Sequence, residues 1–273
     1  MDENLVALAL VVAVAGVGAG VLAGLLGVGG GILLVPVLEY AYGVAGVEPG
    51  LRMHLAVGTS LASIIPTAIA SARAHRRRGA VDPALALRWS PAIAVGAALG
   101  ALLASNLRGS VLSAVFGIVA LVVAVRMLWG SGREPPVRDA DPTRLRWLPV
   151  PASIGCISAL MGIGGGTLSV PVMTSLGLPV HRAVGTSAWF GLWIAAPGAL
   201  GFALLGQDVP GLPAGSVGYV NLVAMAILLP ATVLAAPVGA TLAHRLTRPQ
   251  LSAAFGIFLL LTSTRMLYRA IVA

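Results

Sequence analysis

Gly27-Val28-Gly29-Gly30-Gly31-Ile32-Leu33-Leu34-Val35-Pro36-Val37 reappears 135 residues later as Gly162-Ile163-Gly164-Gly165-Gly166-Thr167-Leu168-Ser169-Val170-Pro171-Val172. Two more matches follow in the same order. Ala56-Val57-Gly58-Thr59-Ser60 returns at an offset of 127 as Ala183-Val184-Gly185-Thr186-Ser187, and His54 falls on His181 in that register. Leu112-Ser113-Ala114-Val115-Phe116-Gly117-Ile118 returns at an offset of 139 as Leu251-Ser252-Ala253-Ala254-Phe255-Gly256-Ile257. Pro91 and Pro230, Gly100 and Gly239, and Arg126-Met127-Leu128 and Arg265-Met266-Leu267 keep the last register. Chance can produce one Gly-rich match in so biased a chain. Three in one order mark a duplicated unit.

The composition says what the unit is made of. Hydrophobic residues are 58% of the chain and charged residues 10%, against about 25% charged in a soluble domain. Too little polar surface exists to face water, so lipid must cover much of the chain. The stretches 4–38, 89–107, 109–125, 183–207 and 209–244 hold no Asp, Glu, Lys or Arg, and neither does 147–181. About 20 apolar residues cross a bilayer core as a helix, and in lipid the backbone must satisfy itself. No ten-residue alternating strands of a barrel are present.

Each unit reads as five helical elements: 4–26, 30–43, 55–74, 84–106 and 110–129, then 148–163, 166–178, 182–205, 217–244 and 249–271. The second and seventh are short, because the Gly-rich block breaks a run too long for one straight crossing. The expected domains are a first membrane repeat, 1–129, a polar linker, 130–146, and a second membrane repeat, 147–273. The fold class is therefore an all-α polytopic membrane protein with two repeats of about five elements, broken at the Gly-rich motifs.

The net charge of +8 comes from 17 basic residues, all Arg, most of them at helix ends or in short loops. That placement is a topology signal and argues against nucleic-acid binding. His75-Arg76-Arg77-Arg78 and the Arg-bearing linker are expected in the cytoplasm, two helices apart. The 206–216 loop, which holds Asp208 and no basic residue, and the acidic N-terminus are then outside. Equivalent loops, 75–83 and 206–216, carry opposite signals, as two inverted repeats demand. If 30–43 and 166–178 are re-entrant, the count falls from ten membrane helices to eight and the units become parallel.

Cys156 is a lone thiol in an apolar run, so neither a disulfide framework nor a Cys metal cluster is expected. No cofactor or metal is expected. The first apolar segment lacks a basic leader and reads as a retained span.

The chemistry centres on the two broken runs. Three glycines at a helix start leave backbone N–H groups approachable, and a helix N-terminus favours an anion. Gly29, Gly30, Gly31, Gly164, Gly165, Gly166 and Thr167 are the candidate binding residues, with close helix packing as the alternative use of the glycines. Thr59, Ser60, Thr186 and Ser187 either donate to the same anion or satisfy local carbonyls. His54 and His181 are symmetry partners that either carry protons or sit at an interface. Glu39 is an intramembrane carboxylate and so a candidate for a proton or gating role. Both Ser and His are duplicated, which argues against a Ser–His hydrolase dyad; no catalytic residue is assigned.

The duplicated Gly-x-Gly-Gly-Gly-x4-Pro blocks, the Ala-Val-Gly-Thr-Ser segments and His75-Arg76-Arg77-Arg78-Gly79-Ala80-Val81-Asp82 together resemble the sulfite exporter TauE/SafE family, over nearly the whole chain. The resemblance implies export of sulfite, sulfoacetate or a related organosulfonate across the plasma membrane. The partners expected are a small anion and lipid, with a homodimer as one option for assembly.

Overall fold

A computed structural model describes residues 12–14, 16–18, 20–21, 31–129, 148–243 and 248–272. Of the first expected element, the described residues are helical; the expected linker, 130–146, lies outside the described residues. The remaining helices are α1 (Gly31–Val44), α2 (Pro49–Arg77), α3 (Pro83–Asn106), α4 (Gly109–Trp129), α5 (Pro149–Met161), α6 (Gly166–Ser175), α7 (Val180–Leu205), α8 (Leu222–Ala243) and α9 (Arg248–Val272). Between α7 and α8 lies a small hairpin. Its strands, β1 (Ser216–Val217) and β2 (Val220–Asn221), pair antiparallel, with Ser216 opposite Asn221.

The protein is a helical, multi-pass membrane protein. Among the described residues, α2, α3, α4 and α7 are long and apolar enough to cross a bilayer. At 13 and 10 residues, α5 and α6 reach about 20 and 15 Å, well short of a core of about 30 Å. Gly162 ends α5 in the left-handed region, φ 68°, as a helix C-terminus prefers.

The helix starts follow local chemistry. Pro occupies the first turn of α2, α3 and α5, where its missing N–H has no partner to lose. Asp82 caps α3 by accepting from the Leu85 N–H at 3.0 Å. Asn221 does the same for α8, its Oδ1 accepting from the Ala224 N–H at 2.7 Å. Basic His75, Arg76 and Arg77 end α2 and complement its dipole. Pro36, Pro66, Pro91, Pro171 and Pro197 all sit inside helices, as membrane helices allow.

Packing repeats with the sequence. α2 and α7 run antiparallel: a Cβ on Gly198 would meet Leu61, and one on Gly191 would meet Ala68. Ile64, Ala68 and Ala195 form a small core at the crossing. α4 and α9 also pair antiparallel, Gly117 against Leu267 and Gly256 against Leu128; a Cβ on either glycine would lie 2.7 Å from the leucine Cγ, too close to fit. Gly155 lies on the Ile93 carbonyl of α3, and Gly20 lies on the Thr232 carbonyl of α8. Each pair equals the other at the offsets read from sequence. Small residues allow these backbones to approach where lipid supplies no hydrophobic drive.

Candidate functional site

Gly31, the described end of the first Gly-rich block, meets the second block beside the α2–α7 crossing. Gly31 opens α1, is buried, and a Cβ on it would lie 3.0 Å from the Gly164 amide nitrogen and 2.8 Å from Ile64. Gly165 is packed on α7, where a Cβ would lie 2.5 Å from the Ser187 carbonyl oxygen. Among the described residues, a Cβ on Gly164 would meet Ile64, at 3.7 Å. Gly166 and Thr167 are half-buried at the start of α6. Gly29 and Gly30 lie outside the described residues. The structure thus brings the described glycines of both motifs together, at the N-terminus of two short helices.

Around this meeting point, Ser60 donates from Oγ to the Gly162 carbonyl at 2.7 Å, tying α2 to the second break. Ser187 donates to Val184 of its own helix. Ser158 and Ser169 are fully buried on either side of the second break, and among the described residues their hydroxyls have no hydrogen-bond partner, an arrangement that native proteins rarely leave.

Thr59 and Thr186, expected near the same anion, are occupied by the backbone. The Asn221 N–H donates to Thr59 Oγ1 at 3.0 Å, and the Asp82 N–H donates to Thr186 Oγ1 at 2.9 Å. The preceding glycines make the approach possible. A Cβ on Gly58 would lie 2.4 Å from the Tyr219 carbonyl oxygen, and one on Gly185 would lie 2.3 Å from the Ala80 carbonyl oxygen. Gly79 and Gly218, just before these carbonyls, both take a positive φ, 65° and 54°, which glycine adopts without strain. Each unit's Gly-Thr pair therefore clasps the helix-capping loop of the other unit. Thr59 lies ten residues past the start of α2 and Thr186 six past the start of α7; because the two helices are antiparallel, the clasps lie on opposite sides of the Ile64–Ala195 crossing.

The histidines diverge. His54 is buried; its ring nitrogens face the Gly50, Ala104 and Leu107 carbonyls at 3.1 Å, and its ring stacks on Tyr219 at 4.8 Å. His181 is exposed at the second residue of α7. Glu39 is buried in α1 and pairs with Arg265 of α9 at 2.9 Å and with Arg269. A buried carboxylate needs such partners, and the two arginines share one face of α9 at i, i+4 spacing.

Sequence reasoning did not single out Asp82, Asn221, Tyr42, Tyr219, Ser158 or Ser169. Asp82 and Asn221 are 139 apart, so the offset of the third block was enough to pair them. No sequence signal marks Ser158 or Ser169.

Comparisons with known proteins agree along the length of the chain. The family described as sulfite exporter TauE/SafE matches residues 12–266. A probable membrane transporter protein of Haemophilus influenzae is 30% identical over 248 residues, covering 91% of this chain and 94% of its own. One of Bacillus subtilis is 25% identical over 96% of this chain and 98% of its own. One of Methanocaldococcus jannaschii is 26% identical, covering 80% and 78%. No solved structure matches the chain.

Proposed function

The chain belongs to the sulfite exporter TauE/SafE family, and on that premise we propose that this membrane transporter exports a small sulfur-containing anion by alternating access. The two units are inverted repeats, 1–129 and 147–273, joined by a cytoplasmic linker, and they rock about the meeting of their Gly-rich breaks. The single observation that carries the reading is the reciprocal pair of clasps: equivalent Gly-Thr segments hold equivalent loops on opposite sides of the crossing of an antiparallel helix pair. Such an arrangement gives one molecule two nearly equal closures, one per side, and alternating access requires two. The 75–83 end faces the cytoplasm and the 206–221 end the outside. Glu39 with Arg265 and Arg269 holds α1 against α9 and gates the outer side.

The substrate site is the Gly-rich meeting point. Helix N-termini and the Ser158 and Ser169 hydroxyls together supply donors to an oxyanion without a buried cation. The test is counterflow in proteoliposomes with sulfite and sulfoacetate. Saturable flux accelerated by substrate on the far side is expected; flux that grows linearly with concentration would make the protein a channel. Ser169→Ala should leave thermal stability unchanged or raise it by about 1 kcal/mol, since it removes an unpaired buried hydroxyl, while raising KM for flux. Unchanged KM would place the substrate elsewhere.

A further inference from the structure

A cavity of about 690 Å³ opens between α3, the start of α7 and the turn after α2. Its lining residues include the exposed Arg76 and Arg182, with Ser90, Trp189 and Trp193. No carboxylate is among the lining residues; Asp82 lies beside it, 3.8 Å from Arg182. Trp189 donates from Nε1 to Ser90 Oγ at 3.1 Å, and Ser90 donates to the Ala86 carbonyl at 2.6 Å, so the indole is fixed in the wall. The cavity is built from both units, adjoins the Thr186–Asp82 clasp and shares its Val81–Pro83 segment.

The repeat makes the lining informative. Framework residues are kept in both units: Gly58 and Gly185, Thr59 and Thr186, and the capping residues Asp82 and Asn221. The cavity's polar residues are not. In the other unit's register, Leu55 stands for Arg182, Ala62 for Trp189, Pro66 for Trp193 and Leu229 for Ser90, and the 206–216 loop has no basic residue. Folding needs the duplicated set. The polar lining at one end answers to something the other end does not meet.

We propose that this cavity is a collecting site for a small organic anion with one oxyanion head and a short apolar body. Arg76 and Arg182 hold the head. The planar fork of a guanidinium suits sulfonate or carboxylate oxygens, and two cations on low-dielectric walls concentrate anions. Trp189 and Trp193 cover the apolar part. Occupancy sits against the loop that Thr186 holds, so the anion is delivered where that clasp opens. This inference deepens the transport reading and rests on it for the destination of the anion, though not for its binding.

The test uses the full-length protein with Cys156→Ala to remove its one thiol and Val81→Cys to place one in the cavity wall. Labelling rates are measured with sulfonatoethyl and with trimethylammonioethyl methanethiosulfonate, each normalised to a free thiol. The anionic reagent should react roughly tenfold faster. Arg76→Gln with Arg182→Gln should abolish that preference, and sulfoacetate should protect while taurine, which is net neutral, should not. Equal normalised rates, or no protection by sulfoacetate, overturn the proposal. Protection only when phosphatidylglycerol is in the bilayer also overturns it and makes the cavity a lipid headgroup site. Labelling does not depend on flux. Protection without sulfonate flux would sink the transport reading alone, and flux without protection would sink this inference alone.

Discussion

The Thr59 clasp and the Thr186 clasp share one backbone plan and differ in what surrounds it. Each begins with a glycine pressed on a carbonyl, continues with a threonine that accepts an N–H, and ends on a residue that caps the next helix. Around Thr59 the surroundings are closed. Tyr42 Oη lies 3.1 Å from its hydroxyl, the 216–221 hairpin packs over it, and His54 stacks on Tyr219. Around Thr186 they are open and charged, with Asp82 near Arg182 and a cavity alongside. The two clasps thus share their backbone contacts, while the side chains around them differ.

The comparison can be broken most sharply at the glycines. Gly58→Val and Gly185→Val each force a side chain into backbone, and each should cost about 3 kcal/mol, read as loss of monodisperse protein on heating in detergent. If one is tolerated, the clasps are not equivalent. The threonines should separate them. Thr59→Val leaves both the Tyr42 hydroxyl and the Asn221 N–H unpaired and should cost about 2 kcal/mol, against about 1 for Thr186→Val. Adding Tyr42→Phe to Thr59→Val should recover part of the loss, and no recovery would deny the Tyr42 contact. At the caps, Asp82→Ala should cost about 1 kcal/mol. Asp82→Asn keeps the cap and loses only a half-exposed ion pair, so it should cost less than about 0.5 kcal/mol. Least of all, exposed His181→Gln should stay within about 0.5 kcal/mol of the parent, whereas His54→Gln, which loses carbonyl partners and a stacked ring, should be clearly destabilising. Equal effects would remove the contrast between the two ends.

Much of this framework could be read in the sequence, because each of the three matching blocks keeps a constant offset. The offsets of 127 and 139 relate Gly58–Tyr219 to Gly185–Ala80 without any structure. The role given to Thr59 and Thr186 was less legible. Hydroxyls in an apolar run look available for a ligand, and only the fold shows a backbone N–H on each. α2 starts at Pro49 rather than 55, since Glu48-Pro49 reads as polar loop by hydropathy while Pro in the first turn is a helix start. α6 stops at Ser175, before Gly177 turns with φ 93°. The two-residue strands are too short for any alternation to register. Glu39 and its arginines lie 226 residues apart or more, a pairing no local pattern specifies.

The most direct test of the two-closure mechanism is a pair of distances in liposomes. Spin labels at Arg78→Cys with His181→Cys would report the Thr186 end, and at Glu48→Cys with Asp208→Cys the Thr59 end, both in a Cys156→Ala background. Measured with and without sulfite, the two distances should move in opposite senses, one end widening as the other narrows. Distances that both stay fixed, or widen together, would contradict alternating access about the clasps.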